Sequence, residues 1–328
     1  MSRMANQDNC YRAPWWLPGG HAQTIVPSRL LAGPQVPYRR ERWETPDDDF
    51  IDVDFALPEP DSAAAPLLVL FHGLEGDSHS HYARLLMQGC LRRDWRGLVV
   101  HFRGCGGEPN RQARAYHSGD SDEIDWILRR VAQRWPLARR YAVGISLGGN
   151  ALAKWAGERG TQAQAVIEAC AAVSAPLDLT AGGYALGQGC NRLYTRMFLS
   201  TLRPKAMAKA VRFPGLVDLQ RIAVSRSLYE FDDAYTAPTH GFAGVLDYWR
   251  RASAKPWLGG ARIPMLVLNA RNDPFVPGAS LPGAGEVARD VTLEQPSQGG
   301  HVGFFAASPA ADRWFLRARL FAYLTGGR

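Results

Sequence analysis

The sequence predicts an α/β fold with a mostly parallel sheet covered by helices on both faces. Three observations carry this expectation. The apolar runs Leu67–Phe71 (LLVLF), residues 98–102 (LVVHF) and Met265–Leu268 (MLVL) lack the alternation of a half-exposed strand, so both faces of each must be buried. Stretches with apolar residues at helical spacing separate these runs. The chain has 328 residues, 46% hydrophobic and 21% charged, which is enough to bury a large core and unlike a disordered, collagen-like or coiled-coil composition.

Two β-rich stretches come first, residues 39–44 and Phe50–Ala56, separated by the turn-like Pro46-Asp47-Asp48-Asp49. Residues 141–143 and 165–173 complete the expected strands. Between residues 102 and 141, Ile124, Ile127, Leu128, Val131 and Trp135 form one helical stripe. Asp120, Asp122, Glu123 and Asp125 crowd the start of that helix and Arg129, Arg130 and Arg134 its end, as the helix dipole favours. A second helix follows Ser146 with Leu147, Ala151, Leu152 and Trp155 on one side, and a last one spans residues 312–324. Residues 177–256 interrupt the alternation with helical pieces at 193–202, 205–211 and 244–254 and no strand. They are expected to form a helical lid inserted within a single domain covering residues 1–328.

The balance of 38 basic and 31 acidic residues gives +7, a mild excess that indicates no nucleic-acid partner. Between Gly183 and Glu230, eight basic residues against two acidic ones hold +6 of that charge, interleaved with Met197, Phe198, Leu199, Met207, Phe213 and Leu216. Such a segment is either a solvated face or a weak peripheral contact for anionic membranes. No run approaches the roughly 18–20 apolar residues of a membrane helix. The first ten residues lack the apolar core of a secretory signal. Five cysteines (Cys10, Cys90, Cys105, Cys170, Cys190) without ligand or disulfide spacing suggest a reduced, cytoplasmic protein with no metal site. No oligomeric state follows from the pattern.

Gly144-Ile145-Ser146-Leu147-Gly148 matches Gly-x-Ser-x-Gly between an expected strand and an expected helix, the context a nucleophile elbow requires. Gly144 and Gly148 let strand and helix pass closely. A serine hydroxyl needs a base to take its proton and a carboxylate to orient that base. Downstream, Asp273 follows the strand Met265–Leu268, and His301 sits in a glycine-rich loop before the final helix. Rivals are Asp178 for the acid and His240 or His72 for the base, while Asp232 and Asp233 read as a helix cap. His72-Gly73-Leu74-Glu75-Gly76 follows another strand. Backbone N–H groups of Leu74 and Leu147 are the expected oxyanion donors, with His72 and Gly73 supporting that loop. Arg103-Gly104-Cys105-Gly106-Gly107 is no phosphate loop, because no Lys-Ser or Lys-Thr follows. Cys105 reads as a packed thiol.

Further motifs give a family resemblance. PWWLPGGHAQT at residues 14–24, HGLEG at 72–76, FRGCGG at 102–107 and GISLGGN at 144–150 resemble the YheT-type branch of the α/β-hydrolases. So do FDDAYTAPTHGF at 231–242, NDPFVP at 272–277 and GGHVGF at 299–304. That branch is similar to eukaryotic α/β-hydrolase-domain lipases and esterases. The resemblance implies the α/β-hydrolase fold, puts Ser146, Asp273 and His301 at the triad positions, and requires no cofactor. The expected activity is hydrolysis of carboxylic esters, short-to-medium acyl esters or monoacylglycerols, through an acyl-enzyme. Acyl transfer by the same triad and a catalytically silent binding protein are the alternatives.

Overall fold

The computed structural model describes residues 11–31, 33–306 and 314–326. Cys10 and the first two residues expected in the last helix lie outside them. Eight strands form one sheet: β1 (Tyr38–Glu44), β2 (Phe50–Ala56), β3 (Leu67–Phe71), β4 (Arg96–His101), β5 (Arg140–Ile145), β6 (Ala169–Val173), β7 (Met265–Leu268) and β8 (Val291–Glu294). Their order is β1-β2-β4-β3-β5-β6-β7-β8. β2 pairs antiparallel with β1 and with β4, and every other pairing is parallel.

Strand β3 shows why a continuous apolar run was needed. Leu67, Val69 and Phe71 pack into one core with Ile124, Leu128 and Leu152. Leu68 and Leu70 point the other way, into a second core with Leu86, Leu320 and Phe321. The helices on these faces are α2 (His81–Leu91), α3 (Ser121–Arg134), α4 (Leu147–Arg159) and the last helix, Phe315–Leu324, preceded by a short N-terminal α1 (Gly19–Ile25). Asp120 caps α3 by accepting from the Glu123 N–H, and Ile124, Ile127, Leu128 and Val131 are buried as the stripe requires. Trp135, the fifth residue of the stripe, ends that helix and is only partly buried. Helix α4 is buried from Leu147 to Gly157, not along one side, because it is enclosed by the sheet, α3 and the backbone at Trp257.

Between β6 and β7 the chain contains no named strand. Its helices are α5 (Leu179–Leu186), α6 (Arg192–Arg212), α7 (Leu219–Val224), α8 (Leu228–Phe231), α9 (Ala237–Thr239) and α10 (Val245–Ala252). Here the two helical pieces expected at 193–202 and 205–211 are one helix, α6, running through Pro204. Pro204 and Ser200 both lie exposed, so water can accept the role of the missing N–H donor to the Ser200 carbonyl. The strand expected at 165–173 starts at Ala169, after a 3-10 turn over Gly160–Ala165. Strand β8 is four residues long and only its first residue is buried, too short and too polar to stand out as a sequence pattern.

Candidate active site

Strands β3 and β5 are neighbours, yet β3 leads on to β4 and β5 to β6, on opposite sides of the pair. The loops leaving their C-terminal ends therefore diverge and open a crevice, the usual place for a ligand in such sheets. Ser146 stands at that point, between the end of β5 and the start of α4.

Its backbone has φ 52° and ψ −118°, a conformation that costs of order 1–3 kcal/mol for a residue with a side chain. The surroundings enforce it. The Ser146 N–H donates to the Val173 carbonyl at 2.8 Å, and its own carbonyl accepts from the Asn150 N–H at 3.0 Å. A Cβ on Gly148 would lie 2.5 Å from the Phe71 carbonyl oxygen, and one on Gly144 would strike the Gly148 backbone. Only glycine fits at both places.

Asp273 follows β7 with a fully buried carboxylate. Its Oδ1 accepts from the N–H groups of Phe275 (2.8 Å) and Val276 (3.3 Å). Its Oδ2 lies 2.8 Å from His301 Nδ1, and His301 Nε2 lies 3.0 Å from Ser146 Oγ. Side chains up to 155 positions apart in sequence thus form one hydrogen-bonded line. The Phe275 ring packs on the imidazole with centroids 4.2 Å apart.

The loop carrying His301 has no ladder or helix to satisfy its amides. Four successive N–H groups are captured by side chains instead. Gly299 donates to Gln23 Oε1 (2.8 Å), Gly300 to Asn272 Oδ1 (3.0 Å), His301 to Thr24 Oγ1 (2.8 Å) and Val302 to Ser174 Oγ (3.0 Å). Gln23 is itself fixed, accepting from Asn272 Nδ2 (2.9 Å) and donating to the Leu17 carbonyl (2.8 Å). Sequence reasoning missed this cradle. The PWWLPGGHAQT motif was visible, but its meaning lies in contacts across some 280 residues of chain.

On the other side of Ser146, neither the Leu74 nor the Leu147 N–H has a protein acceptor among the described residues. Gly73 passes close to Ser146, where a Cβ would sit 3.1 Å from the serine Cβ. Tyr82 Oη accepts from the Gly73 N–H and Tyr116 Oη from the Glu75 N–H. Glu75 in turn receives the Tyr116 hydroxyl and pairs with Lys205 of α6 at 2.8 Å. His72 is fully buried. Its Nδ1–H donates to the Gly73 carbonyl and its Nε2 accepts from the Phe102 N–H, and burial holds its pKa down to about 3. It is a neutral pin for the loop and not a base for Ser146.

The remaining rivals lie elsewhere. Asp178 caps α5 by accepting from the Ala181 N–H. His240 packs at a tilt against His117 with centroids 4.6 Å apart, and burial lowers its pKa to about 3. Asp233 accepts from the first N–H of α10, as a cap does, and Asp232 ends α8 with its backbone N–H on the Leu228 and Tyr229 carbonyls, while its side chain binds Thr236 Oγ1 and Trp249 Nε1. Burial pushes the Cys105 thiol up to about 12, as fits a packed side chain. Among the described residues no three His, Cys, Asp or Glu side chains gather as a metal would need.

A cavity of about 480 Å³ opens above Ser146 and His301. Its walls are chiefly apolar, with Leu186, Phe198, Leu202, Phe231 and Trp249 from the segment between β6 and β7.

Residues 66–307 match the family model described as the alpha/beta hydrolase fold. The chain belongs to the α/β hydrolases. Its relatives place it among the esterase- and lipase-type members of that family. It is 36% identical over 93% of its length to YheT of Escherichia coli (strain K12), a protein named as a candidate esterase, of which the match covers 90%. It is 28% identical to the phospholipase ABHD3 of Homo sapiens over 91% of this chain and 76% of that one. With the monoacylglycerol lipase of Saccharomyces cerevisiae the identity is 29%, over 84% and 61% of the two chains. The solved esterase Pf2001 of Pyrococcus furiosus has the same fold, with TM-score 0.55 and 15% identity over 88% and 92% of the chains. Among the described residues, no helix of this hydrolase is long and apolar enough to cross a membrane.

Proposed function

We propose that this α/β hydrolase cleaves carboxylic esters of apolar acyl chains, with Ser146 as nucleophile, His301 as general base and acid, and Asp273 as the group that orients the imidazole. The observation that carries the reading is the line Asp273–His301–Ser146, at 2.8 and 3.0 Å, at the floor of an apolar cavity. Asp273 Oδ2 accepts a hydrogen bond from the Nδ1–H, which leaves Nε2 free to take the proton of the serine hydroxyl as Oγ attacks the ester carbonyl. The developing oxyanion lies within reach of the Leu74 and Leu147 N–H groups, where each donor contributes about 2.7–4 kcal/mol. His301 then protonates the leaving alcohol, and water repeats the sequence on the acyl-enzyme.

The helical segment over residues 177–256 serves as the lid. Lys205 ties it to Glu75 beside Leu74, and Asn150 of α4 ties it to the elbow by donating to the Ala252 carbonyl and accepting from the Ala254 N–H. At about 480 Å³ the cavity is in the range of small-molecule sites, which favours a short-to-medium acyl ester or a monoacylglycerol over a polymer. Labelling with a fluorophosphonate, followed by peptide mapping, should modify Ser146. Replacing Ser146 by Ala should abolish labelling and lower kcat on nitrophenyl esters by roughly 10⁶. A folded protein that remains unlabelled would refute the assignment.

A further inference from the structure

One surface beside the active site has no place in the mechanism. The N-terminal arm and the start of α6 pack side by side. His21 stacks on Tyr194 with centroids 5.8 Å apart and hydrogen-bonds its hydroxyl at 3.1 Å, and the Arg29 guanidinium reaches Met197 Sδ at 3.2 Å. His21, Ile25 and Arg29 follow at four-residue steps, so Ile25 stands between those two contacts. Leu193 and Met197 are one turn apart on α6. Ile25, Leu30, Leu193 and Met197 are all exposed, Leu30 by 71% and Leu193 by 66%. Trp15, 92% exposed, sits on the turn that leads into α1. Large side chains scattered singly over a surface need no explanation, but several exposed ones on two segments joined by side-chain contacts do.

The two segments that form this face carry formal charge of one sign. Residues 11–36 contain no Asp or Glu, and neither do residues 179–217. Arg192 and Arg196 flank Leu193 and Met197, and neither has an ion-pair partner among the described residues. Of the segment's other basic side chains, all but that of Arg226 are engaged among the described residues; Arg203 donates to the carbonyls of Leu199, Ala223 and Ser225. Lys205 pairs with Glu75, Lys209 donates to Asn110 and the Arg114 carbonyl, Arg212 donates to the carbonyls of Asn110 and Arg111, and Arg221 pairs with Asp233. Two of the segment's three unengaged arginines, among the described residues, therefore stand where these apolar side chains are exposed. The face also leads to the chemistry. Tyr194 packs on Phe275, which packs on His301, and Phe198, next to Met197, lines the cavity.

We propose that Ile25, Leu30, Leu193 and Met197, rimmed by Arg29, Arg192 and Arg196, dock the enzyme onto an anionic lipid bilayer so that its cavity receives substrate from the lipid phase. Exposed aliphatic groups enter the interface, an indole such as that of Trp15 suits the headgroup level, and arginines meet lipid phosphates. An acidic protein partner would match the arginines but would leave the aliphatic centre without its complement. The link to substrate delivery rests on the ester-hydrolase reading; the docking itself does not.

The test is sedimentation of the full chain with vesicles of phosphatidylcholine alone or mixed with phosphatidylglycerol, at low and high salt. Turnover of a soluble nitrophenyl acetate is measured alongside. The wild type should partition onto the mixed vesicles at low salt, and high salt should release it. Each arginine near an anionic surface is worth about fivefold in partitioning, so Arg192→Gln/Arg196→Gln should weaken it roughly 25-fold. Ile25→Asp/Leu193→Asp should remove it, with turnover of the soluble ester unchanged in both variants. If the aspartate pair loses that turnover through misfolding, the glutamine pair on its solvated arginines still decides the matter. An enzyme that binds vesicles but hydrolyses no ester would sink the hydrolase reading and leave docking intact. No partitioning of the wild type at low salt would overturn the proposal, as would both variants partitioning like the wild type. A concentration-dependent dimer dissolved by Leu193→Asp, without vesicle binding, would assign the face to a second copy and overturn it too.

Discussion

Replacing Thr24 by Val tests how the imidazole is held, because it removes one hydroxyl and almost no volume. Thr24 is nearly buried, and its Oγ1 accepts from the His301 N–H at 2.8 Å while donating to the Gly20 carbonyl at 2.7 Å. Valine leaves that amide without its acceptor, a cost of about 1–3 kcal/mol. The cost can fall in two places. If the neighbouring captures of Gly299, Gly300 and Val302 hold the loop rigid, stability drops and chemistry survives. If the loop shifts to seek another acceptor, His301 Nε2 leaves its 3.0 Å approach to Ser146, and a displacement near 1 Å can cost about 10²-fold. Gly299 and Gly300, immediately before His301, both have positive φ, so the loop has the freedom to move. The expected result is a kcat on nitrophenyl acetate lowered roughly 10- to 100-fold with KM little changed. Thr24→Ser, which restores the hydroxyl, should recover most of it. A Thr24→Val enzyme that loses thermal stability but keeps wild-type kcat would refute the argument.

Asp273→Asn should keep the acceptor for Phe275 and Val276 yet turn an N–H toward His301, selecting the wrong tautomer. Steady-state kcat should fall by about 10⁴, and a loss below tenfold would argue against Asp273 as the orienting group. Gly148→Ala drives a methyl group into the backbone at the end of β3 and should cost about 3 kcal/mol or more. An unchanged thermal melt would contradict the packing described. His72 has a pKa near 3 in the folded protein, against about 6.5 when unfolded. The unfolded chain therefore takes up the proton first as pH falls, and stability declines from pH ~6.5 toward the folded value. By pH ~5.5 the loss from this one group reaches about 1.4 kcal/mol. Urea midpoints of His72→Gln should thus drop less than those of the wild type between pH ~8 and ~5.5, and equal drops would refute the neutral assignment.

Some of this protein could be read from local pattern alone. Leu67–Phe71 announces a strand buried on both faces because every one of its side chains meets a core. The Gly-x-Ser-x-Gly run announces the elbow because glycine at 144 and 148 answers a backbone clash, a constraint written into consecutive residues. The order of Ser146, Asp273 and His301 along the chain was legible for the same reason, since each follows or precedes an element with a strong signal. Strand β8 was not legible, because it is four residues long and mostly half-exposed, and pairing with β7 supplies what its sequence lacks. Helix α6 reads as two pieces because a proline normally stops a helix. Its exposed position, which lets water reach the Ser200 carbonyl left without a donor, is a fact of packing.

Chain-local chemistry, then, determined which residue types stand where: a serine on a tight turn, a carboxylate and an imidazole in downstream loops, and a basic helical segment between two strands. The meeting of those groups was decided only by tertiary structure. Gln23 and Thr24 belong to one end of the chain and the His301 loop to the other, and no periodicity couples them. The reason is physical. Strand and helix patterns record burial, which acts residue by residue, whereas a loop without its own ladder is shaped by whichever distant side chains accept its N–H groups. Those acceptors become known only when the sheet has closed and brought them within 3 Å.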